Sequence, residues 1–330
     1  MRGARAASRA RSRRAGAALA AISALGLICA ALAGCGDDNN PVAVPPDPDS
    51  APLFVEEWRD PQFALDVAVA LDGTRFCIDA IGSRVRIESN EGDSLTSWSV
   101  PGYDDSDYCL ALRIAAGIDE HIYVSDACSD RVAKLTRAGR VVAAWGSSGA
   151  ADGEFDSPGG IAVDRFGNVY VADRNNHRVQ KFDSDGRWIL SFGAPGRGSG
   201  EFNEPTAVAV GPNSTIHVLD RGNRRVQVFT SRGAFLESWG QAGYGLNDFW
   251  RPEGIAVDRF GFVYVTDDFT DLVKKFSPDG ELRAVWGGEG SEPGQFNGPR
   301  GIAAGWYDDV FVADLWNGRV QVFRYPQSKQ

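Results

Sequence analysis

Histidine and helical periodicity are both scarce in this sequence. Only three histidines occur among 330 residues, namely His121, His177 and His217. A zinc site needs several converging nitrogen or sulfur ligands, and these three fall at different positions of the repeat described below, so no histidine metal centre is expected. No segment after residue 34 places apolar residues at helical spacing, which favours an all-β fold.

Basic residues are also fewer than acidic residues. The chain has 34 lysines and arginines against 44 aspartates and glutamates, and six of the arginines precede residue 15. Without those six the balance is 28 against 44, a net charge of −16. An acidic surface repels phosphate backbones, so nucleic acid is not expected as a partner.

The N-terminal 34 residues have the composition of a secretory signal, because an arginine-rich start precedes an apolar stretch from about residue 15 to residue 33. The stretch ends Leu-Ala-Gly-Cys35, which resembles the lipobox of bacterial lipoproteins. That resemblance implies cleavage before Cys35 and a diacylglycerol on its sulfur. A plain transmembrane anchor is the alternative, since the run is close to spanning length.

Residues 35–52 are polar and rich in proline and aspartate, and we interpret them as a disordered tether. These features predict a protein that is exported and anchored by lipid to the bacterial membrane, either periplasmic or on the cell surface. The lipid would be its only membrane contact, and we expect a monomer.

A repeat of 47 residues organises the rest of the chain. An aspartate ends a β-type run six times at that interval: Asp79, Asp126, Asp173, Asp220, Asp267 and Asp314. Arginine follows five residues later in every copy but the fifth, which has Leu272: Arg84, Arg131, Arg178, Arg225 and Arg319. Each unit contains four short β-type runs separated by glycine-, asparagine- and aspartate-rich turns, as in a propeller blade.

Two further positions of the repeat predict radial packing. Alanine occupies one slot of the first strand in all six copies: Ala68, Ala115, Ala162, Ala209, Ala256 and Ala303. Small side chains fit the crowded axis of a propeller, where blades converge. Aromatic residues close each unit on the outer strand, where blades diverge: Trp98, Trp145, Phe192, Trp239 and Trp286.

The sixth unit lacks its outer strand, because its closing aromatic would fall beyond residue 330. Residues 53–58 resemble an outer strand, and we expect them to complete the last blade and close the ring. The sequence thus predicts a six-bladed propeller of four-stranded antiparallel blades over residues 53–325, followed by a tail at 326–330.

The segment Pro158 to Phe182 resembles an NHL repeat. The resemblance extends over residues 53–325. It implies a propeller that serves as a binding platform or sensor domain, or in a few branches as a lyase or lactone hydrolase. The amidating lyases of this kind hold zinc with histidines from separate blades.

The Asp–Arg pairs are interpreted as structural because they recur in almost every blade, whereas the residues of a binding site should differ between blades. Such differences occur where the first strands begin, on the face of the propeller where a ligand is expected. The candidate ligand-binding residues there are Asp66, Arg113, Glu253, Arg300, Trp250 and Trp316. Two ion pairs with exposed aromatics would be the purely structural interpretation.

No cofactor is predicted, with calcium or zinc as alternatives. Asp156, Asn203 and Asn297 share one loop slot and could join Glu253 as oxygen ligands of calcium, although aspartate and asparagine also favour turns there. A disulfide is predicted between Cys109 and Cys128, which lie at neighbouring strand ends of the second blade. Cys77 is expected to be a buried thiol.

The leading functional hypothesis is a binding, scaffold or sensor module that takes a protein, peptide or glycan on its loop face, with no catalytic residues assigned. The alternative is an enzyme at the channel mouth, of the peptidyl-hydroxyglycine lyase or gluconolactonase type. A purely structural envelope role is the third possibility.

Overall fold

The computed structural model describes residues 49–59, 61–80, 83–102, 112–306 and 308–325. Within them the chain forms six four-stranded antiparallel sheets and one short 3-10 helix, Arg221–Asn223. The first strand of each sheet packs against the first strands of the two neighbouring sheets, so the sheets form a closed ring. The predicted six-bladed propeller is confirmed. In these ranges no helix has the length and apolarity needed to cross a membrane.

Each of blades 1 to 5 consists of four consecutive strands, and blade 6 combines the last three strands with the first. The strands are β1 (Leu53–Trp58), β2 (Ala64–Val69), β3 (Arg75–Asp79), β4 (Arg84–Glu88), β5 (Ser94–Ser99), β6 (Leu112–Ala116), β7 (His121–Asp126), β8 (Arg131–Thr136), β9 (Val141–Trp145), β10 (Pro158–Val163), β11 (Val169–Asp173), β12 (Arg178–Phe182), β13 (Trp188–Phe192), β14 (Pro205–Val210), β15 (Ile216–Asp220), β16 (Arg225–Phe229), β17 (Phe235–Trp239), β18 (Pro252–Val257), β19 (Val263–Asp267), β20 (Leu272–Phe276), β21 (Leu282–Gly287), β22 (Pro299–Ala304), β23 (Asp309–Asp314) and β24 (Arg319–Arg324).

The repeated glycine in the turn between the third and fourth strands has two physical reasons. Gly186 adopts φ +83°, a left-handed conformation that favours glycine. A Cβ added there would lie 2.5 Å from the ring of Trp145, the outer aromatic of the preceding blade. Gly139 and Gly280 meet Trp98 and Trp239 in the same way. The turn glycine therefore lets each blade pack onto its neighbour's outer aromatic.

Six apolar clusters fill the spaces of the ring, and each contains one of the aromatics that close the outer strand of a blade. In five clusters it is Trp98, Trp145, Phe192, Trp239 or Trp286. In the sixth it is Trp58, only 4% exposed, which packs with Val320 and Val322. The N-terminal strand thus supplies the aromatic that the sixth repeat lacks.

Strand β1 pairs antiparallel with β24 as the outer strand of blade 6, with Trp58 opposite Val320. Ion pairs reinforce this pairing: Arg319 Nη1 lies 2.8 Å from Glu57 Oε2, and Arg75 of blade 1 lies 2.7 Å from Glu56. Segments far apart in sequence are thereby held together. The pairing covers a strand edge that would otherwise be open.

The predicted signal (1–34), Cys35, all but the end of the tether, and the tail (326–330) lie outside the described residues. Export and lipidation therefore stay predictions.

Candidate functional site

The repeated aspartates each bind several donors from different segments. Asp173 accepts hydrogen bonds from Arg178 Nε at 2.8 Å and from Gln180 Nε2 at 3.0 Å. It also accepts one from the backbone N–H of Asp156, 2.9 Å away in the loop that enters the blade, and one from Asn176 Nδ2 at 3.0 Å. One buried carboxylate therefore joins the entering loop, the loop between the second and third strands, and the third strand.

The other Asp–Arg pairs vary around this pattern. The Nε–Oδ2 distance is 2.8 Å in Asp220–Arg225 and Asp314–Arg319, and 3.4 Å in Asp126–Arg131. In blade 1, Asp79 Oδ2 receives Arg86 Nε at 3.0 Å, while Arg84 Nη2 donates to Ser97 Oγ at 3.1 Å.

Blade 5, with Leu272 in place of arginine, still supplies a cation to its aspartate. Lys274 Nζ lies 3.9 Å from Asp267 Oδ2, and both side chains are buried. Lys274 occupies the slot that holds glutamine in blades 3, 4 and 6. The sequence position of the cation changes, but the carboxylate keeps a partner.

The residues that open the first strands meet at one end of the central channel, which we call the mouth. Asp66, Arg113, Gly160, Ala207, Gly254 and Gly301 line it together with Glu253. The mouth is narrow, about 50 Å³. Its glycines allow this narrowing, because a Cβ at Gly301 would lie 2.4 Å from Asp66 Cα and one at Gly254 would lie 2.2 Å from the Arg300 carbonyl oxygen.

Two buried carboxylates at the mouth are each placed between two guanidinium groups. Glu253 lies 3.1 Å from Arg221 Nε and 3.9 Å from Arg113 Nη2. Asp268 contacts Arg251 Nε and lies 3.8 Å from Arg300 Nε. Glu204 Oε2 also lies 4.0 Å from Arg221 Nη1, so these four arginines face four acids when Asp66 is counted.

Asp66 is buried and accepts the backbone N–H groups of Ile114, at 2.9 Å, and Val67, at 3.0 Å. Burial raises its pKa to about 6, although the Arg113 guanidinium and both N–H groups favour the charged form. Burial also lowers the pKa of Arg300. Burial at the mouth therefore disfavours the charged form of both the acidic and the basic side chains.

Two guanidinium nitrogens of the mouth are buried without a hydrogen-bond acceptor of good geometry among the described residues: Arg221 Nε and Arg300 Nε. Each nitrogen nevertheless faces a carboxylate oxygen, because Glu253 Oε1 lies 3.1 Å from Arg221 Nε and Asp268 Oδ2 lies 3.8 Å from Arg300 Nε.

An aromatic patch lies beside the mouth, on loops of the same face. Tyr244 stacks on Trp250 with ring centroids 4.2 Å apart, and Phe269 lies 5.1 Å from Trp250. Arg224 Cζ lies 4.5 Å from the Trp250 centroid. Tyr244 is 71% exposed and Phe269 48%, so the patch presents apolar surface to solvent.

The loop that carries Tyr244 and Trp250 is fixed internally. Asp248 accepts Gln241 Nε2 at 2.7 Å and the Gly245 N–H at 2.8 Å, and Phe249 is fully buried. Trp316, 53% exposed, lies in the next blade at the slot equivalent to Phe269 and contacts Phe63 edge-on at 5.9 Å.

Comparison with known families identifies the repeat. The model described as NHL repeat matches residues 155–182 and 296–323, in blades 3 and 6. The chain carries NHL repeats. No curated protein matches it in sequence.

Solved structures with NHL-like propeller folds include proteins of several activities. Virginiamycin B lyase from Staphylococcus aureus, solved with quinupristin, has a TM-score of 0.57 at 13% identity, covering 83% of this chain and 89% of the lyase. A gluconolactonase from Xanthomonas campestris has a TM-score of 0.61 at 15% identity, covering 86% and 99%. A chain of the nidogen/laminin complex has a TM-score of 0.54 at 16% identity, covering 76% and 84%. At these identities the likeness establishes the propeller fold alone.

The three histidines lie apart in the NHL ring and have local partners. His121 Nδ1 lies 3.2 Å from Asp119, His177 Nδ1 accepts the Glu204 N–H at 3.1 Å, and burial lowers the pKa of His217 to about 4. Across the described residues, no three metal-ligating side chains converge.

In the slot proposed to supply calcium ligands, the backbone N–H groups of Asp156, Asn203 and Asn297 all donate to the NHL aspartates. Cys128 forms a disulfide, but its expected partner, Cys109, lies outside the described residues. Cys77 is a free, buried thiol, and burial raises its pKa.

Sequence reasoning missed Tyr244, Phe269, Arg221, Arg251 and Asp268. A signal for Phe269 was present, because the slot that holds Phe269 and Trp316 holds Gly222, Asn175 and Cys128 in other NHL repeats. Asp268 likewise replaces the arginine found at Arg174 and Arg221.

Proposed function

We propose that this NHL propeller is a binding module of the cell envelope that takes an acidic peptide segment of a protein partner on its mouth face. The observation that carries the proposal is the exposed aromatic patch of Tyr244, Trp250 and Phe269, which lies on the same face as the arginines of the mouth. The peptide would place apolar side chains on the patch and a carboxylate at the mouth.

The composition of this surface supports a protein partner. Tyrosine, tryptophan and arginine dominate the residues that contribute most to protein–protein affinity. The patch combines Tyr244 and Trp250, on a loop held by internal hydrogen bonds, with Phe269 and Arg224 from two other loops. A fixed loop loses little conformational entropy on binding.

The charge of the mouth supports an acidic ligand. Arg300 is the group that an acidic ligand would meet, because its nearest carboxylate, Asp268, lies 3.8 Å away and partial burial strengthens its attraction to a carboxylate. A glycan is the second ligand class, because exposed aromatic rings also suit sugar faces, but it would offer no charge to Arg300.

Lipidation at Cys35 would hold the module at a membrane surface, since the lipobox-like Leu-Ala-Gly-Cys follows an apolar signal. Mass spectrometry of the N-terminal peptide tests this: a diacylglycerol-modified Cys35 is expected, and an unmodified N-terminus upstream would contradict it.

An enzyme at the mouth remains the alternative function, and its support is the fold shared with the lyase and the gluconolactonase. A mouth of about 50 Å³ is well below the roughly 300–1,000 Å³ of typical small-molecule sites. Lactone hydrolysis by purified protein that is abolished by EDTA would favour the enzyme over the binding module.

A displayed library of random peptides tests the binding function. The full chain is purified in detergent, and we expect selected peptides to combine aromatic residues with aspartate or glutamate. Tyr244→Ala/Phe269→Ala should weaken binding about a hundredfold, and Arg300→Gln about tenfold. Leu236→Ala, which removes an exposed apolar side chain of the outer strand β17, is the matched control. Selected peptides that bind all variants equally would contradict the proposal.

A further inference from the structure

The opposite end of the channel opens into a wider cavity that the mouth-face function does not use. We call it the funnel. Its volume is about 420 Å³, within the range of small-molecule sites. It is lined by the ends of the six first strands and by the turns that follow them.

Two rings of side chains form the funnel wall. The inner ring is aliphatic in all six blades, and every member is only half-buried: Val69, Ala116, Val163, Val210, Val257 and Ala304. The outer ring, two residues later, is exposed and combines four apolar side chains with two arginines: Leu71, Ile118, Arg165, Pro212, Arg259 and Trp306. Contiguous apolar surface left open to solvent marks a binding site more often than an isolated exposed residue does.

The carboxylates in the wall are already satisfied. Asp164 accepts the N–H groups of Phe166 and Asn168, at 2.8 and 2.9 Å, and Asn168 Nδ2 at 2.7 Å. Asp258 accepts the N–H of Phe260 and the hydroxyl of Tyr264, each at 2.9 Å. Both are nearly buried. They close the turns and do not offer a charge to a ligand.

The arginines of the outer ring differ in their partners. Arg259 forms a two-point ion pair with Asp308, at 3.0 and 2.7 Å. Arg165 lies over the Phe166 ring at 4.8 Å, and no carboxylate of the described residues lies within ion-pair distance of it. One guanidinium at the rim is therefore free to bind an anion.

We propose that the funnel binds a free amphipathic carboxylate, an aliphatic chain with one anionic end. The chain would enter between the six aliphatic side chains of the inner ring, and the carboxylate would pair with Arg165 at the rim. A cationic amphiphile would meet no available counter-charge there. This site is independent of the mouth-face function, because it lies at the other end of the channel.

Isothermal titration of the full chain with hexanoate, octanoate and decanoate, each below its micelle concentration, tests the proposal. Affinity should rise about fourfold for every added methylene, as burial of apolar chain predicts. Decyltrimethylammonium should bind at least tenfold more weakly than decanoate. Affinity that does not change with chain length would overturn the proposal.

Two variants and one control assign the binding to the funnel. Arg165→Gln should weaken decanoate binding about tenfold, and Ala304→Phe should abolish it by filling the cavity. Arg232→Gln, which removes an exposed arginine from a turn outside the funnel, should leave binding unchanged. If Ala304→Phe fails to fold, Trp306→Asp at the exposed rim replaces it. Decanoate binding unaffected by the funnel variants would refute the assignment.

Sedimentation with phosphatidylglycerol vesicles separates a free carboxylate from a membrane lipid as the ligand. The full chain keeps its predicted anchor and apolar N-terminal stretch in every sample, so the wild type is compared with Arg165→Gln. We expect both to sediment equally with the vesicles. Sedimentation that Arg165→Gln weakens, without decanoate binding, would replace our proposal by a lipid-surface contact.

Discussion

Replacing Asp220 by alanine would remove the acceptor shared by four donors in blade 4. Asp220 is fully buried. It accepts the Asn203 N–H at 2.7 Å and Asn223 Nδ2 at 2.9 Å, Arg225 Nε at 2.8 Å and Gln227 Nε2 at 3.1 Å. Truncation leaves the Arg225 guanidinium without its counter-charge in a partly buried place.

The expected cost follows from the burial of this network. Removing one partner of a buried ion pair typically costs about 3–5 kcal/mol. Arg225 Nη2 keeps its bonds to the carbonyls of Gly198 and Glu201, both at 2.8 Å, which favours the lower end of that range. For a domain of this size the midpoint of thermal unfolding should fall by about 5 °C.

Asp220→Asn distinguishes the proposed cause from a simple change of shape. Asparagine keeps one accepting oxygen, but it removes the negative charge beside Arg225 and turns an amide nitrogen, which cannot accept a hydrogen bond, towards one of the four donors. The asparagine variant should therefore lose a large part of the stability that the alanine variant loses, although its volume is almost unchanged. Recovery of most of the stability by asparagine would contradict an electrostatic role.

Urea denaturation followed by tryptophan fluorescence measures the free energy of unfolding, with Glu237→Ala as the matched control. Glu237 is an exposed acid on β17 of the same blade, and its removal should change stability by less than about 0.5 kcal/mol. An Asp220→Ala variant within 1 kcal/mol of wild type would refute the view that the repeated aspartates hold the blades together.

Two further changes test the mouth and the ring closure. The pKa of Asp66 is raised from 3.8 to about 6, so the folded state binds this proton more tightly and the group's contribution to stability falls as pH rises through 6. At pH 7.5 Asp66→Asn should therefore be more stable than wild type by up to about 3 kcal/mol. At pH 5 the gap should shrink to about half, because it closes fully only below the unfolded pKa of 3.8. Thermal unfolding at both pH values measures the gap, and a gap independent of pH would count against a buried charge. Trp58→Ala should lower the free energy of unfolding by about 3–5 kcal/mol, because it opens a cavity in the apolar cluster of blade 6. Val55→Ala, at an exposed site of the same strand, should lower it little. Equal losses for the two variants in urea denaturation would show that β1 is not part of the core.

The periodicity of the sequence was sufficient for the fold. A spacing of 47 residues set the number of blades and placed every aspartate at the end of a second strand. The aromatic missing from the sixth repeat pointed to Trp58, which packs in the sixth cluster. These inferences succeeded because strands, turns and inter-blade contacts recur locally in each copy.

The candidate site could be predicted only in part. Asp66, Arg113 and Glu253 were found as departures from the repeat, and they line one mouth. Their partners Arg221, Asp268 and Arg251 were missed, because the contacts join loops of different blades. The sequence also did not predict that Lys274 replaces the missing arginine as the partner of Asp267, since this contact depends on how far the side chain extends within the folded blade.

The sequence by itself determined the six blades, their register and the position of the repeated aspartates at the ends of the second strands. Only the tertiary structure decided the width of the channel at its two ends. The channel is narrow at the mouth, where Gly301 approaches the backbone of Asp66 closely, and wide at the funnel, where six turns surround Val163 and its counterparts. The physical reason is that channel width depends on distances between blades, which are fixed only when the ring has closed.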